Sequence, residues 1–462
     1  MKKQQTKTPK QTRPVPSKTE HLIGDIDPYD FKLTEHKGSR IYSKEVPWAT
    51  CIYVRFLFNA GARHDPKGKE GAMHFMEHML FSGTLTYPTK FDIDQFSKTN
   101  TLDSFNAFTS FSHMCLNYRC LEESFEASLK GATEVLTSSL LSKDAFEKEK
   151  NIILQEAWAI YKNEKHIAFR RKNNQNMFSS FPDRLRLSSP LGWPDSIEKI
   201  GHADIKKIYK DSLVRENLSV VISGNISKRH INVIKKYIEL IPSGKQSKEV
   251  LIPKIVKPPL ERIWIHTYEE MGLTASNQAS IEISSGVSRI NKSYTSAAED
   301  LARALMYELM FQELRHKNSW CYGVNASFGN CEDYTYGSLS SKIDAAHVNE
   351  AFDIIKMIID NILNDKHTKE FEQEKTLFIE RKRAVELSTS DLTQYALSNL
   401  RYEKQIETRK ESFKNLHAVT YEDVKRVLKT LFIDSKNVLY EASVPNDYDK
   451  TIPQNHLKKY IK

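Results

Sequence analysis

Between Gly71 and Thr84 the chain reads GAMHFMEHMLFSGT, and this run restricts the fold more tightly than any other. Phe75, Met76, Met79, Leu80 and Phe81 give it an apolar surface on nearly every side, the pattern of a helix buried in a core. Set among them are His74, Glu77 and His78. Burying imidazoles and a carboxylate without partners is costly, so the fold must bring something to meet them. The helix is expected to start near Gly71, after the polar loop RHDPKGKE (63–70), with Gly83 placed as its C-terminal stop. Before that loop, ATCIYVRFLFNA (49–60) is rich in β-branched and aromatic residues and reads as a strand ending at Gly61.

At about 3.6 residues per turn, His74 and His78 share one helix face and can reach a single ion. Glu77 stands beside them, so the order His-x-x-Glu-His is the inverted form of the HExxH zinc motif. Zinc accepts imidazole nitrogen and carboxylate oxygen, and its catalytic sites keep a position open for water. An adjacent carboxylate can then act as general base while the metal polarises a carbonyl. Glu77 is the residue placed for that task. Two histidines leave a third protein ligand to be found. A helix expected at 143–163 offers Glu149 and Glu156 in EKEKNIILQEAW, seven residues and almost two turns apart, hence on similar faces. Glu156 interrupts an apolar stretch where a buried carboxylate would sit, while Glu149 suits a solvated position equally well. Spacing alone does not select one of them. The apolar face of the same helix is read from Phe146, Ile153, Ala157 and Ile160.

With 462 residues the chain exceeds what one core usually supports. Strands and helices alternate so as to suggest an α+β fold of two homologous domains, each a mainly antiparallel sheet packed with helices. The expected division is a disordered basic tail (1–24), a first domain (25–241) carrying the His/Glu motif, a Pro/Ser/Lys-rich linker (242–259) and a second domain (260–462). The tail holds five of the nine net positive charges, which leaves little excess elsewhere and argues against a nucleic-acid partner. No run approaches the roughly 18 apolar residues of a membrane span. Five cysteines, an odd number without a CxxC pair, argue against a disulfide framework. Cys51 and Cys115 fall in apparent strands and read as buried thiols. A cytoplasmic location is expected, with the mitochondrial matrix as the alternative if the basic tail is a presequence.

Several separated segments resemble the pitrilysin/insulinase superfamily of inverted-motif zinc peptidases, in its shorter branch that includes mitochondrial processing peptidase. They are FNAGARHDPKGKEGAMHFMEHMLFSGT, FEKEKNIILQEAW, PLGWPDSIEKIGHADIKKIYKD and NLSVVISGNI, and the likeness covers roughly residues 40–445. The resemblance implies a Zn2+ cofactor held by His74, His78 and Glu156, with Glu149 a supporting acid near the site. It also implies a substrate-binding edge strand at Asn106, Ala107, Phe108 and Thr109, whose backbone would pair with an extended peptide. In the second domain Arg315 and Tyr322 are similar to the family's Arg/Tyr element, implied to hold substrate and stabilise the oxyanion. Two departures stand out: Leu102-Asp103 where relatives often have Gly-Gly, and Trp320-Cys321 before the tyrosine. The function implied is hydrolysis of short or unfolded peptides, in a homodimer or in a heterodimer with a related subunit. The alternative is a non-catalytic structural or peptide-binding subunit of a larger assembly.

Overall fold

The computed structural model describes residues 27–177, 189–248, 259–288, 296–330, 334–384, 388–402 and 406–461. The basic tail and most of the expected linker lie outside the described residues, as does Cys331.

In the first half, runs of β-branched and aromatic residues form β1 (Lys32–His36), β2 (Ser39–Glu45), β3 (Ile52–Phe58), β4 (Asn106–Thr109), β5 (Met114–Cys120) and β6 (Leu218–Gly224). They make one six-stranded sheet in the order β1-β2-β6-β3-β5-β4. Only β2 and β6 run parallel; the other pairs are antiparallel. The second half contributes β7 (Ile263–Thr267), β8 (Gln278–Ser288), β9 (Cys321–Asn330), β10 (Tyr334–Asp344) and β11 (Leu439–Val444). Their order is β7-β11-β8-β10-β9, again with a single parallel pair, β7 and β11. Taken in order, these five strands repeat β2-β6-β3-β5-β4 in sequence of neighbours and in sense. The duplication is therefore written in the topology, although the two halves share little sequence.

Helices α1 (Ala72–Leu80), α2 (Lys90–Asn100), α3 (Phe125–Thr137), α4 (Lys143–Tyr161), α5 (Glu164–Met177), α6 (Pro194–Glu198), α7 (His202–Ser212) and α8 (Lys228–Ile238) belong to the first half. The second half adds α9 (Ala297–Met310), α10 (Val348–Leu363), α11 (Thr368–Arg383), α12 (Thr389–Tyr402), α13 (Arg409–Ala418) and α14 (Tyr421–Phe432). One face of each sheet is packed by helices of its own half: α1, α3, α4, α7 and α8 on the first, α9, α10 and α14 on the second.

The opposite faces are covered by exchange. From the second half, α12 lays Leu392, Ala396 and Leu397 against Val46, Tyr42, Val221, Leu57 and Cys115 of the first. From the first half, α5 places Phe169 against Trp264 and Leu439 of the second sheet. Double coverage explains why all seven residues of β3 are buried, Arg55 included. That guanidinium is not left alone, since its Nε donates to Thr393 Oγ1 of α12 at 3.1 Å.

The helix expected at 143–163 forms as α4 and stops two residues short of that range. It ends at Tyr161, and Lys162 turns the chain at φ +67° before α5 begins. Cys51 also departs from the reading above: it precedes β3 and is only half-buried, with Sγ 3.5 Å from Thr389 Oγ1.

Candidate metal centre

Residues outside α1 fix where it begins. Asp65 accepts hydrogen bonds from the backbone N–H groups of Gly71 and Met73, both at 2.7 Å, and so caps the helix. Gly71 takes φ +97°, and a Cβ there would lie 2.3 Å from the Leu191 carbonyl oxygen, so no other residue fits. From that start Met73, Phe75, Met76, Met79 and Leu80 all enter the first core. His74 and His78 emerge one turn apart on the remaining face, their ring centroids 4.6 Å from each other.

His74, His78 and Glu156 each offer a ligand atom, and the three atoms lie within 4.8 Å of one another. Two imidazoles and one carboxylate form a donor set that suits Zn2+. Buried Nδ1 of His74 finds no hydrogen-bond partner among the described residues. An orphaned buried nitrogen is costly unless something binds it, so the residues present fit a metal. Burial, assisted by the neighbouring His78, pushes the His74 imidazole down to about 3, which keeps it neutral and available as a ligand.

On α4 the two carboxylates are placed the opposite way from the sequence reading. Glu156 is not buried: its side chain is 43 % exposed, on the rim of the site, 3.7 Å from His78 Nε2. Glu149 is the buried one, at 6 % exposed, and its Oε2 lies 3.3 Å from His78 Nδ1. The reason is the phase of the helix. Phe146, Glu149, Ile153, Ala157 and Tyr161 form the core face, leaving Ile152, Glu156 and Ile160 on a shoulder open to solvent. Ile160, expected on the core face, belongs to that shoulder.

Lys90, the first residue of α2, donates to Glu149 Oε1 at 2.9 Å. Burial acts to raise the Glu149 carboxyl, but the hydrogen bonds from His78 and Lys90 hold it below the ordinary carboxylate range. The sequence of contacts Lys90–Glu149–His78 thus fixes the orientation of one imidazole from behind.

Glu77 is buried at 7 % exposed, and its Oε2 accepts a 2.7 Å hydrogen bond from Thr109 Oγ1. Burial pushes this carboxyl above its ordinary range, partly countered by Thr109 and His78, while Glu156 raises it further. A carboxyl raised in this way holds a proton more readily than a solvated one.

Asn106, Ala107, Phe108 and Thr109 make up β4, which is the outermost strand of its sheet. Leu102 and Asp103, the departure from Gly-Gly, enter that strand in a defined way. Asp103 Oδ1 accepts from Arg119 Nη2 at 2.6 Å, Leu102 N donates to the Arg119 carbonyl at 2.8 Å, and Ser104 supplies the left-handed turn at φ +62°.

Arg315 lies in a π-helical turn (Phe311–Lys317) that continues α9. Its Nη1 donates to the Cys321 carbonyl at 2.9 Å, and its guanidinium sits over the Tyr322 ring at 5.0 Å. Tyr322 is the second residue of β9 (Cys321–Asn330) and is 86 % exposed. Trp320 stacks on His347 at 4.4 Å, which accounts for a large residue at that point. None of the described contacts joins Arg315 or Tyr322 to His74, Glu77, His78 or Glu156.

Asp65, Lys90 and the Thr109–Glu77 bond were not foreseen. The Thr89/Asp92 capping box signals the start of α2. Nothing in the sequence pairs Lys90 with a residue 59 positions on. Among the described residues, no helix is long and apolar enough to cross a membrane.

Residues 40–186 match the family described as insulinase (peptidase family M16), and residues 199–378 match the peptidase M16 inactive domain. The first match contains His74, Glu77, His78, Glu149 and Glu156; the second contains Arg315 and Tyr322. The chain is 24% identical over 341 residues to an uncharacterised zinc protease of Rickettsia bellii, covering 73% of this chain and 77% of that protein. To a probable mitochondrial-processing peptidase subunit beta of Schizosaccharomyces pombe it is 23% identical over 250 residues, covering 54% of this chain and 53% of that one. Other curated relatives are likewise spanned over about half their length or less. In structure the chain is similar to the first half of the periplasmic protease PqqL from Escherichia coli. The TM-score is 0.76 at 17% identity, over 94% of this chain and 97% of that one.

Proposed function

This chain belongs to the insulinase family, peptidase family M16, and on that premise we propose that it is a zinc-dependent endopeptidase acting on short or unfolded peptides. The observation that carries the proposal is the convergence of His74, His78 and Glu156 within 4.8 Å, beside the buried carboxylate of Glu77. His74, His78 and Glu156 would hold the zinc, and Glu149 would orient His78. When bound, the metal supplies Lewis-acid chemistry, making water more acidic and polarising a carbonyl.

The remaining work belongs to the chain's own groups. Glu77 takes a proton from the attacking water and delivers it to the leaving amine, a role suited to a carboxyl raised by burial. An extended peptide adds to the free edge of β4, where backbone pairing aligns it whatever its side chains. Arg315 and Tyr322 supply donors for the developing oxyanion. The described partners of their side chains are each other and the Cys321 carbonyl, so they must be brought to the peptide by closure around it, within one chain or from a homodimeric or related partner. We keep the cytoplasm as the proposed compartment, which cell fractionation tests.

Bound zinc and peptide cleavage, measured on the native chain and on Glu77→Gln, test this reading. Cleavage by the native chain, zinc in both proteins and a loss of at least about 100-fold in the variant are expected. Undiminished cleavage by Glu77→Gln overturns the mechanism. Zinc without any cleavage by the native chain would favour a peptide-binding subunit instead.

A further inference from the structure

β4 is both the outer strand of the first sheet and the strand that touches Glu77. Alternation along it sends Asn106 and Phe108 to one face and Ala107 and Thr109 to the other. Phe108 packs with Leu57, Cys115 and Leu397 under α12. Thr109 faces α1, where its hydroxyl donates to Glu77 Oε2 at 2.7 Å. Among the described residues, this is the one hydrogen bond the structure gives that carboxylate. Glu77 is buried, so no solvent shell competes to hold it.

We propose that Thr109 is a positioning residue: its hydroxyl fixes the Glu77 carboxylate, so the strand that receives the peptide also sets the base. A hydrogen bond onto a carboxylate is among the stronger neutral-donor interactions and defines direction as well as distance. It occupies Oε2 and leaves Oε1 without a hydrogen bond among the described residues. Because Thr109 lies in the four-residue strand itself, a shift of β4 on peptide pairing is carried to the base through one side chain. Peptide alignment and base alignment are then a single mechanical event. The Thr109 hydroxyl acts through Glu77, while the backbone of β4 is what meets the peptide. The inference rests on the reading of Glu77 as base, and its test separates the two.

Thr109→Val keeps the β-branched shape and removes the donor; Thr109→Ser keeps the donor and loses the methyl. For Val, kcat is expected to fall about 10- to 100-fold, the scale of a misplaced reacting group, with KM within about twofold and the zinc content unchanged. Ser is expected to stay within about threefold of the native chain. A crystal structure of Thr109→Val should show the Glu77 carboxylate displaced. Unaltered kcat in Val, a loss carried by KM, or equal losses in Val and Ser overturns the proposal, as does a Glu77 side chain that has not moved. Should the Val variant fail to fold, Thr109→Ala is measured in its place against the same expectations. If the native chain cleaves nothing while Glu77 moves in Thr109→Val, the base assignment fails and the anchoring stands.

Discussion

Glu149 and Glu156 share a helix and a chemistry, yet a rotation of about 20° between them separates a buried carboxylate from an exposed one. Zinc titration by calorimetry should divide them. Glu149→Ala is expected to weaken binding about 10- to 100-fold by freeing His78, whereas Glu156→Gln should abolish stoichiometric binding; equal losses would contradict the division. The histidines and Glu77 were readable in the sequence because i, i+4 spacing fixes a shared face on any helix. The supports were not. Thr109 lies 32 positions from Glu77 and Lys90 lies 59 from Glu149, so only the packing of β4 and α2 on α1 and α4 reveals them. Glu156 owes its assignment to resemblance, and the burial expected for it was wrong because the apolar run it interrupts includes the solvent-facing shoulder of α4.

Among the elements, β11 and β8 set two carboxylates directly opposite, Glu441 and Glu282. Burial and that facing charge push Glu441 up to about 7. The folded state therefore binds this proton more tightly than the unfolded chain, whose carboxyl titrates near 4.5. Stability contributed by the protonated form is complete below about pH 4.5 and is lost as pH rises through about 7. Glu441→Gln should raise Tm by about 2–5 °C at pH 8 and leave it unchanged at pH 4; the reverse ordering in calorimetric scans would contradict the pairing. Elsewhere α12 is held by apolar contacts, and Leu392→Ala is expected to cost about 2–4 kcal/mol in denaturant unfolding. A value near zero would mean that α12 does not hold the first sheet. Elements with clean periodicity, such as α1 and β3, were plain from sequence. α5 was not, because EKHIAFRRKNNQNM shows no continuous apolar face: it is polar almost all round, with Ile167 entering the first core and Phe169 docking on the second sheet.

At the scale of the molecule, two copies of one topology are tied by trading α5 and α12. Sequence order suggested the duplication, but the exchange depends on which sheet each helix meets, and local propensity carries no record of that. A chain cut after residue 248 would expose Tyr42, Val221, Leu57 and Cys115, the patch that α12 covers. It is expected to aggregate or to lose near-ultraviolet circular dichroism, and to recover when the second half is co-expressed; a stable, monodisperse first half would contradict the tie. The same architecture keeps the candidate metal ligands in one half and Arg315 and Tyr322 in the other, so on the proposed reading hydrolysis should depend on both metal and closure. The most direct test is peptide cleavage by the full chain stripped with a chelator and titrated with zinc. Activity should vanish on stripping and return in full near one equivalent of zinc per chain. Cleavage that survives complete removal of the metal, or a chain that takes up no zinc, would contradict the central claim.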